Sequence, residues 1–148
     1  MGDQLMPDNE QLQTIVDELA VRKVLDEYCL RLEVNTFEEW MDLFTDDTVY
    51  EVFRKELRGR EQVSAMLSQA PKGVHLGGPA RVSLQGDRAE TVQNYLFIAS
   101  ESNQWNMGWY HRTLVRTGGA WKISHTKVTI GGKGALESKK SNPDSKTQ

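Results

Sequence analysis

From Val74 to Ile130 the chain reads as strands separated by turns, and this run limits the fold more than any other feature of the sequence. Val74 to Leu84 is the first candidate strand, and Gln85-Gly86-Asp87 turns the chain into a second, Arg88 to Ser100. Asn103 marks a loop before a third strand, Trp105 to Arg116, and Thr117-Gly118-Gly119 makes a hairpin into the last, Ala120 to Ile130. Side chains alternate across a strand, so Val92, Leu96 and Ile98 fall on one face and Tyr95 and Phe97 on the other. Large apolar groups therefore sit on both faces. One face has to cover helices, and the other is available to line something.

The first half supplies those helices. Asp8 can cap a helix, with Gln11 three residues on completing a capping box. Leu12, Ile15, Val16 and Leu19, then Val21, Leu25, Tyr28 and Leu32, follow helical spacing with a phase shift near Ala20. That shift implies a bend or a helix buried on two sides. Asn35 and Thr36 end it, and Thr36-Phe37-Glu38-Glu39 is a second capping box, opening a short helix with Phe37, Trp40, Met41 and Phe44 as its apolar stripe. Thr45-Asp46-Asp47 reads as a turn and Thr48 to Arg54 as a short β-rich run. Gly59 then precedes a third helix carrying Val63, Met66 and Leu67. Helices followed by a long meander make an α+β pattern. The expected architecture is N-terminal helices packed in a strongly curved antiparallel or mixed β-sheet that encloses a cone-shaped pocket. Residues 1–7 and 131–148, poor in large apolar groups, are expected to be flexible, leaving one folded domain over 8–130.

Composition removes several classes of function. A chain of 148 residues suits one domain with its own core, and a net charge of −3 gives no basic field for nucleic acid or an anionic membrane. A single cysteine, Cys29, excludes an internal disulfide and a thiolate zinc site, and no His or Glu spacing suits a metal. No apolar run is long enough for a transmembrane helix, and the start, MGDQLMPDNE, is polar and acidic, so a cytoplasmic protein is expected. Gly77-Gly78 leads into Pro79 and a strand, which is not a phosphate loop, and no nucleophile-elbow sequence occurs.

Candidate chemistry rests on few residues. Glu33 sits at the C-terminal end of the first helix, where the helix dipole disfavours an anion and so favours the protonated carboxyl. Such a group beside a neutral imidazole makes a workable acid/base pair, although a helix-end carboxylate can equally point into water. His75, in Val-His-Leu-Gly-Gly-Pro, lies where the sheet begins, beside glycines that let a backbone or ligand come close. His111 shares a strand face with Met107 and Trp109, and that face lines the cavity or meets an oligomer partner. His125, among Lys122, Ser124, Thr126 and Lys127, reads as exposed. Tyr28 and Tyr50 can donate phenolic hydrogen bonds to a substrate oxygen, or can simply pack.

The order of elements, together with particular residues, resembles the SnoaL-like branch of the nuclear transport factor 2-like superfamily. Within it the chain is similar to the group of scytalone dehydratase, bile acid dehydratase and hexachlorocyclohexane dehydrochlorinase. The residues that carry the resemblance are Tyr28 through Glu33, Phe37-Glu38-Glu39-Trp40 leading to Leu43-Phe44-Thr45-Asp46-Asp47, and Gly59-Arg60-Glu61. His75-Leu76-Gly77-Gly78 and Gly86-Asp87-Arg88-Ala89 follow, then Gly108-Trp109-Tyr110-His111 and Gly119-Ala120-Trp121-Lys122-Ile123. In those enzymes an Asp ending the first helix pairs with a His at the start of the sheet; Glu33 and His75 fall at these two positions. The resemblance implies cofactor-independent lyase chemistry, a dehydratase-type elimination or related C–C or C–O cleavage, on a small apolar, aromatic or polycyclic substrate. His75 would be the base, Glu33 its orienting partner, and Tyr28, Tyr50, His111 and Trp109 would bind substrate. Two departures stand out: Glu replaces Asp, reaching one methylene further, and a second catalytic His on a later strand has no direct match, His111 lying nearby. The resemblance also implies a homo-oligomer, a trimer built through the sheets being favoured over a dimer. The same phrase around Trp40 is similar to the small subunit of ring-hydroxylating dioxygenases, a non-catalytic alternative. A ligand-binding or isomerase member of the fold is the other.

Overall fold

Asp8 opens the first helix as the sequence indicates: the Gln11 amide donates to the Asp8 carboxylate at 2.7 Å and the Asp8 amide donates to the Gln11 side chain at 3.1 Å. The computed structural model describes residues 6–34 and 37–137, with the side chains of all of these except 32–38. Helix α1 (Asn9–Val34) is followed by α2 (Phe37–Met41), strands β1 (Phe44–Val52) and β2 (Lys55–Arg58), and helix α3 (Gly59–Ser68). Strands β3 (Gly73–Gln85), β4 (Arg88–Ala99), β5 (Gln104–Thr117) and β6 (Ala120–Ala135) complete the domain. The α+β class holds, with three helices on a mixed sheet.

The six strands run in the order β2-β1-β6-β5-β4-β3. Neighbours pair antiparallel except β1 and β6, which are parallel. This corrects the strongly curved, enclosing sheet expected from the sequence. The order is an open line whose ends, β2 and β3, do not meet, and the inner face is covered by helices, not by the sheet closing on itself. An alternating pattern shows which residues share a face, and it is the same whether a sheet wraps or is covered. The core lies between that face and the helices, where Leu25, Tyr28, Trp40, Phe44, Leu114 and Ile123 are all buried.

Other boundaries differ from expectation: Phe44, expected on the second helix, opens β1, and the run expected to Arg54 stops at Val52, turning through 53–54 into β2. Thr45–Asp47 belong to β1 as an irregular stretch, with a shift of register between Phe44 and Val49. Residues 131–135, expected in a flexible tail, extend β6: Met107 pairs with Gly132, Asn106 with Lys133 and Trp105 with Gly134. The glycines that made this stretch read as a tail are where β5 lays its indoles. A Cβ at Gly134 would come within 2.9 Å of the Trp105 ring, and one at Gly131 within 3.2 Å of the Trp109 ring.

The first half of α1 is tied to the far turn of the sheet by ions. Arg116 on β5 donates to the buried Asp17 carboxylate at 2.5 Å and to Asp87 of the β3–β4 turn at 2.8 Å, and its guanidinium lies 5.0 Å from the Trp121 ring centroid. Arg60 of α3 clasps the start of β1, donating to the Phe44 carbonyl and pairing with Asp46 at 3.1 Å.

The β1–β2 hairpin turns through Phe53 and Arg54, with φ of 51° and 60°. This left-handed pair suits a two-residue hairpin, yet neither residue is the Asn or Gly that such turns favour, and each costs about 1–2 kcal/mol. Phe53 is 74 % exposed, so little packing offsets this. Replacing the pair by Phe53→Asn with Arg54→Gly is expected to raise stability by about 1–2 kcal/mol in urea unfolding, since the strain is relieved and few contacts are lost.

Candidate active site

Between the inner face of the sheet and the helices lies a cavity of about 510 Å³, open to solvent on one side. Every layer of the fold contributes to it: Tyr28 from α1, Trp40 from α2, Tyr50 from β1, His75 from β3, Tyr95 from β4 and Tyr110 from β5. Val52, Met66, Phe97, Val128 and Ile130 make most of the remainder apolar, and Phe53 stands at the mouth. The size and lining suit one small, mostly apolar molecule.

Besides Arg31, Ser68 and Lys72, its polar side chains include three hydrogen-bonded pairs. The Tyr28 and Tyr50 hydroxyls lie 2.8 Å apart, the Tyr110 hydroxyl lies 2.7 Å from His75 Nε2, and Tyr95 donates to Asn106 Oδ1 at 2.8 Å. Gly77 is what brings His75 under the helix. A Cβ there would fall 2.7 Å from Gln93 Nε2 and 3.2 Å from Cys29 Sγ, so only glycine lets α1 settle this close to β3. Beneath the tyrosines is Arg112 of β5, 1 % exposed. Its guanidinium is held between two rings, 4.0 Å from the Tyr28 centroid and 3.8 Å from that of Tyr110, and Nη1 donates to Gln93 Oε1 at 3.2 Å. Arg112 Nε and Nη2 have no hydrogen-bond partner among the described residues, so the aromatic faces carry much of the charge.

This arrangement sets protonation states. Burial, reinforced by the Arg112 charge, pushes the His75 pKa down from 6.5 to about 4, so the imidazole is neutral at neutral pH. A neutral imidazole can accept a proton, as a general base must. Burial pushes Tyr28 above the usual phenol value and Tyr50 and Tyr110 well above it, while Arg112 pulls the other way on all three. The phenols therefore keep their protons. In the Tyr28–Tyr50 pair one proton lies between the oxygens and the other is left to give to a ligand oxygen.

Of the expected site residues, the structure brings together His75, Tyr28 and Tyr50. Trp109 and His111 sit elsewhere: both are exposed on the outer face of β5, beside Met107, and neither lines the cavity. Glu33 is in the last turn of α1, and its side chain lies outside the described residues. His125 is partly exposed and bonds Glu51 at 2.8 Å. Tyr95, Tyr110 and Arg112 were not singled out from the sequence. The signal for them was alternation: Phe97 pairs with His75 and Gln93 with Tyr110, so the inward set on β5 is Tyr110 and Arg112, one residue out of step with the histidine that drew attention. Among the described residues no three His, Cys, Asp or Glu side chains group as metal ligands, and no helix is long and apolar enough to cross a membrane.

The SnoaL-like domain profile matches residues 13–127. The chain belongs to the SnoaL-like family. No curated protein matches the sequence of this SnoaL-like chain, but many solved structures share its fold. A protein from Novosphingobium aromaticivorans provisionally assigned as a scytalone dehydratase is 17 % identical, with a TM-score of 0.74 over 91 % of this chain and 97 % of that one. A type 2 hexachlorocyclohexane dehydrochlorinase is 14 % identical, with a TM-score of 0.76 over 90 % and 98 %. Rv3472 of Mycobacterium tuberculosis, of unknown function and solved with D26N, is 21 % identical with a TM-score of 0.73 over 86 % and 78 %. These likenesses are of fold.

Two outcomes follow for the buried histidine. Because its pKa is lowered on folding, the unfolded chain binds the proton first; His75 thus stabilises the fold fully above about pH 6.5, and this is lost as pH falls toward about 4. The loss is up to about 3 kcal/mol, and urea unfolding across that range is expected to show it in the native protein and not in His75→Gln. Arg112→Met, which keeps the length and removes the charge, is expected to raise the His75 pKa while leaving it below 6.5, read by NMR titration of the imidazole.

Proposed function

We propose that this SnoaL-like protein is a cofactor-independent lyase that eliminates water or a related leaving group from a small aromatic or polycyclic substrate. The observation that carries this reading is the neutral, buried His75 held by Tyr110 in the lining of a mostly apolar cavity, with the Tyr28–Tyr50 phenol pair beside it. The fold is one shared with dehydratase- and dehydrochlorinase-type enzymes, which supports enzymatic chemistry in the family without fixing the reaction here.

In the proposed reaction a substrate ketone oxygen accepts the hydrogen bond that the Tyr28–Tyr50 pair has left. As the substrate enters, the Tyr110 hydroxyl turns from His75 Nε2, and that nitrogen takes a proton from the carbon next to the carbonyl; the C–H electron pair becomes the new double bond, and the leaving group departs from the following carbon. The imidazolium returns its proton to the departing hydroxide, which leaves as water, so the enzyme ends as it began. Low polarity in the cavity strengthens each of these hydrogen bonds. Glu33 is assigned the orienting role on His75 that the family resemblance implies. The homo-oligomer expected with it, a trimer, would use the outer sheet face, where Leu76, Leu96 and Met107 lie in one row with Trp109 beside them.

The test is a panel of hydroxylated aromatic and polycyclic ketones scored for loss of water by mass spectrometry, followed by variants on the best substrate. His75→Gln is expected to lower kcat by about 10²–10⁴-fold, and Glu33→Gln to lower it by less. For the native enzyme kcat/KM is expected to be flat at neutral pH and to fall as pH drops through about 4, where the base becomes charged. Turnover unchanged in both variants defeats the mechanism. Tight binding of the ketones with no conversion at any pH supports a binding protein instead.

A further inference from the structure

We propose that the outward face of α1 is a self-association surface on which the α1 helix of a second copy docks antiparallel. Helix α1 is apolar on two sides: the buried side is in its second half, and the exposed side is concentrated in its first, with Leu30 further along it. In its second half Val21, Leu25 and Tyr28 are buried against the sheet. In its first half Leu12, Ile15, Val16 and Leu19 are 46, 51, 57 and 62 % exposed. At 3.6 residues per turn these four form one stripe, spaced i, i+3, i+4 and i+7, on the opposite side of the helix from Val21, Leu25 and Tyr28. Only Asp17 in this half is turned in and buried, where Arg116 holds it, so the helix is fixed with its apolar stripe facing away from the sheet. Four large aliphatic side chains in a row on a charged helix are more than the scattered exposed residues that a surface ordinarily carries.

The ends of the stripe identify the occupant. Asp8 lies on its line one turn before Leu12, and Lys23 one turn after Leu19; both are exposed. Turn a second copy of the helix end for end about the point between Ile15 and Val16, and Leu12 meets Leu19, Ile15 meets Val16, and Asp8 meets Lys23. Every apolar residue faces an apolar one and each terminal charge faces its opposite. This is the self-complementarity that a two-fold contact requires. A parallel pairing would set Asp8 on Asp8 and Lys23 on Lys23. The surface is separate from the outer sheet face, on the other side of the domain, so a two-fold contact here doubles whatever assembly the sheet supports.

The experiment is molar mass by sedimentation equilibrium of the full chain at about 100 μM, where a contact with a micromolar Kd is populated. Leu19→Lys is expected to halve the native molar mass, with far-UV circular dichroism unchanged because the residue is exposed. Lys23→Asp, which sets Asp against Asp8, is expected to weaken the contact at least tenfold. Adding Asp8→Asn to Lys23→Asp is expected to restore much of it, since Asn removes the repulsion and still caps the helix. Met107→Lys on the outer sheet face is expected to leave the two-fold contact in place. A native mass that Leu19→Lys does not change overturns the proposal, whether the protein is then a monomer or an assembly that Met107→Lys alone disrupts. Loss on Leu19→Lys without rescue in the double variant overturns the antiparallel register.

Discussion

A guanidinium clamped between two tyrosine rings holds the site and the core together. Arg112 is buried on β5 with the Tyr28 ring of α1 on one side and the Tyr110 ring of its own strand on the other. An ion taken so far from water is costly unless something answers its charge, and here the answer is two π faces and one amide oxygen. The arrangement fixes helix to sheet at one spot and keeps both rings in the cavity lining. It also bears on what their hydroxyls touch. Tyr28 meets Tyr50 and Tyr110 meets His75, so a single buried cation sets the position of two hydrogen-bonded pairs and disfavours a second positive charge on the imidazole.

Much of this was legible in the sequence, and the parts that were not share a cause. The Asp8–Gln11 cap, the turns at 85–87 and 117–119, and the four long strands of the second half follow from local chemistry, and local chemistry is what a single sequence displays. Gly118 and Gly119, with φ of 56° and 80°, show why that hairpin was easy to read. The inward register of β5 was harder. Trp109, Tyr110 and His111 are all plausible pocket residues, and only pairing with β4 decides which of them faces in. The same holds for β6 beyond Ile130, whose glycines look unstructured until the indoles of the neighbouring strand are placed over them. Whether the sheet wraps or is covered depends on long-range packing, and there the expectation of a strongly curved sheet failed.

Family membership and site design bear on different questions. The SnoaL-like match over 13–127 accounts for the order of helices and strands, and solved structures at 14–21 % identity superpose on nearly the whole of it. At that distance the side chains in the cavity are this chain's own. Four tyrosines, a histidine and a hidden arginine make a pocket that is apolar in bulk and rich in phenolic donors, a combination suited to a ligand with a flat hydrocarbon body and one oxygen to be gripped.

The parallel pairing of β1 with β6 has a temporal consequence. Residues 44–52 and 123–127 are neighbours in the sheet although most of the domain separates them in the chain. During synthesis β1 and β2 emerge early, and β6, which joins them to the rest of the sheet, emerges after the other five strands. Until then Phe44 and Tyr50 have no sheet to lie on, and the chain must hold its apolar first half in solution while the meander is completed. Contacts of such long range fold slowly. The step that makes the cavity is therefore also the last to become available, and a nascent chain of this kind is most exposed to aggregation just before it can first bind anything.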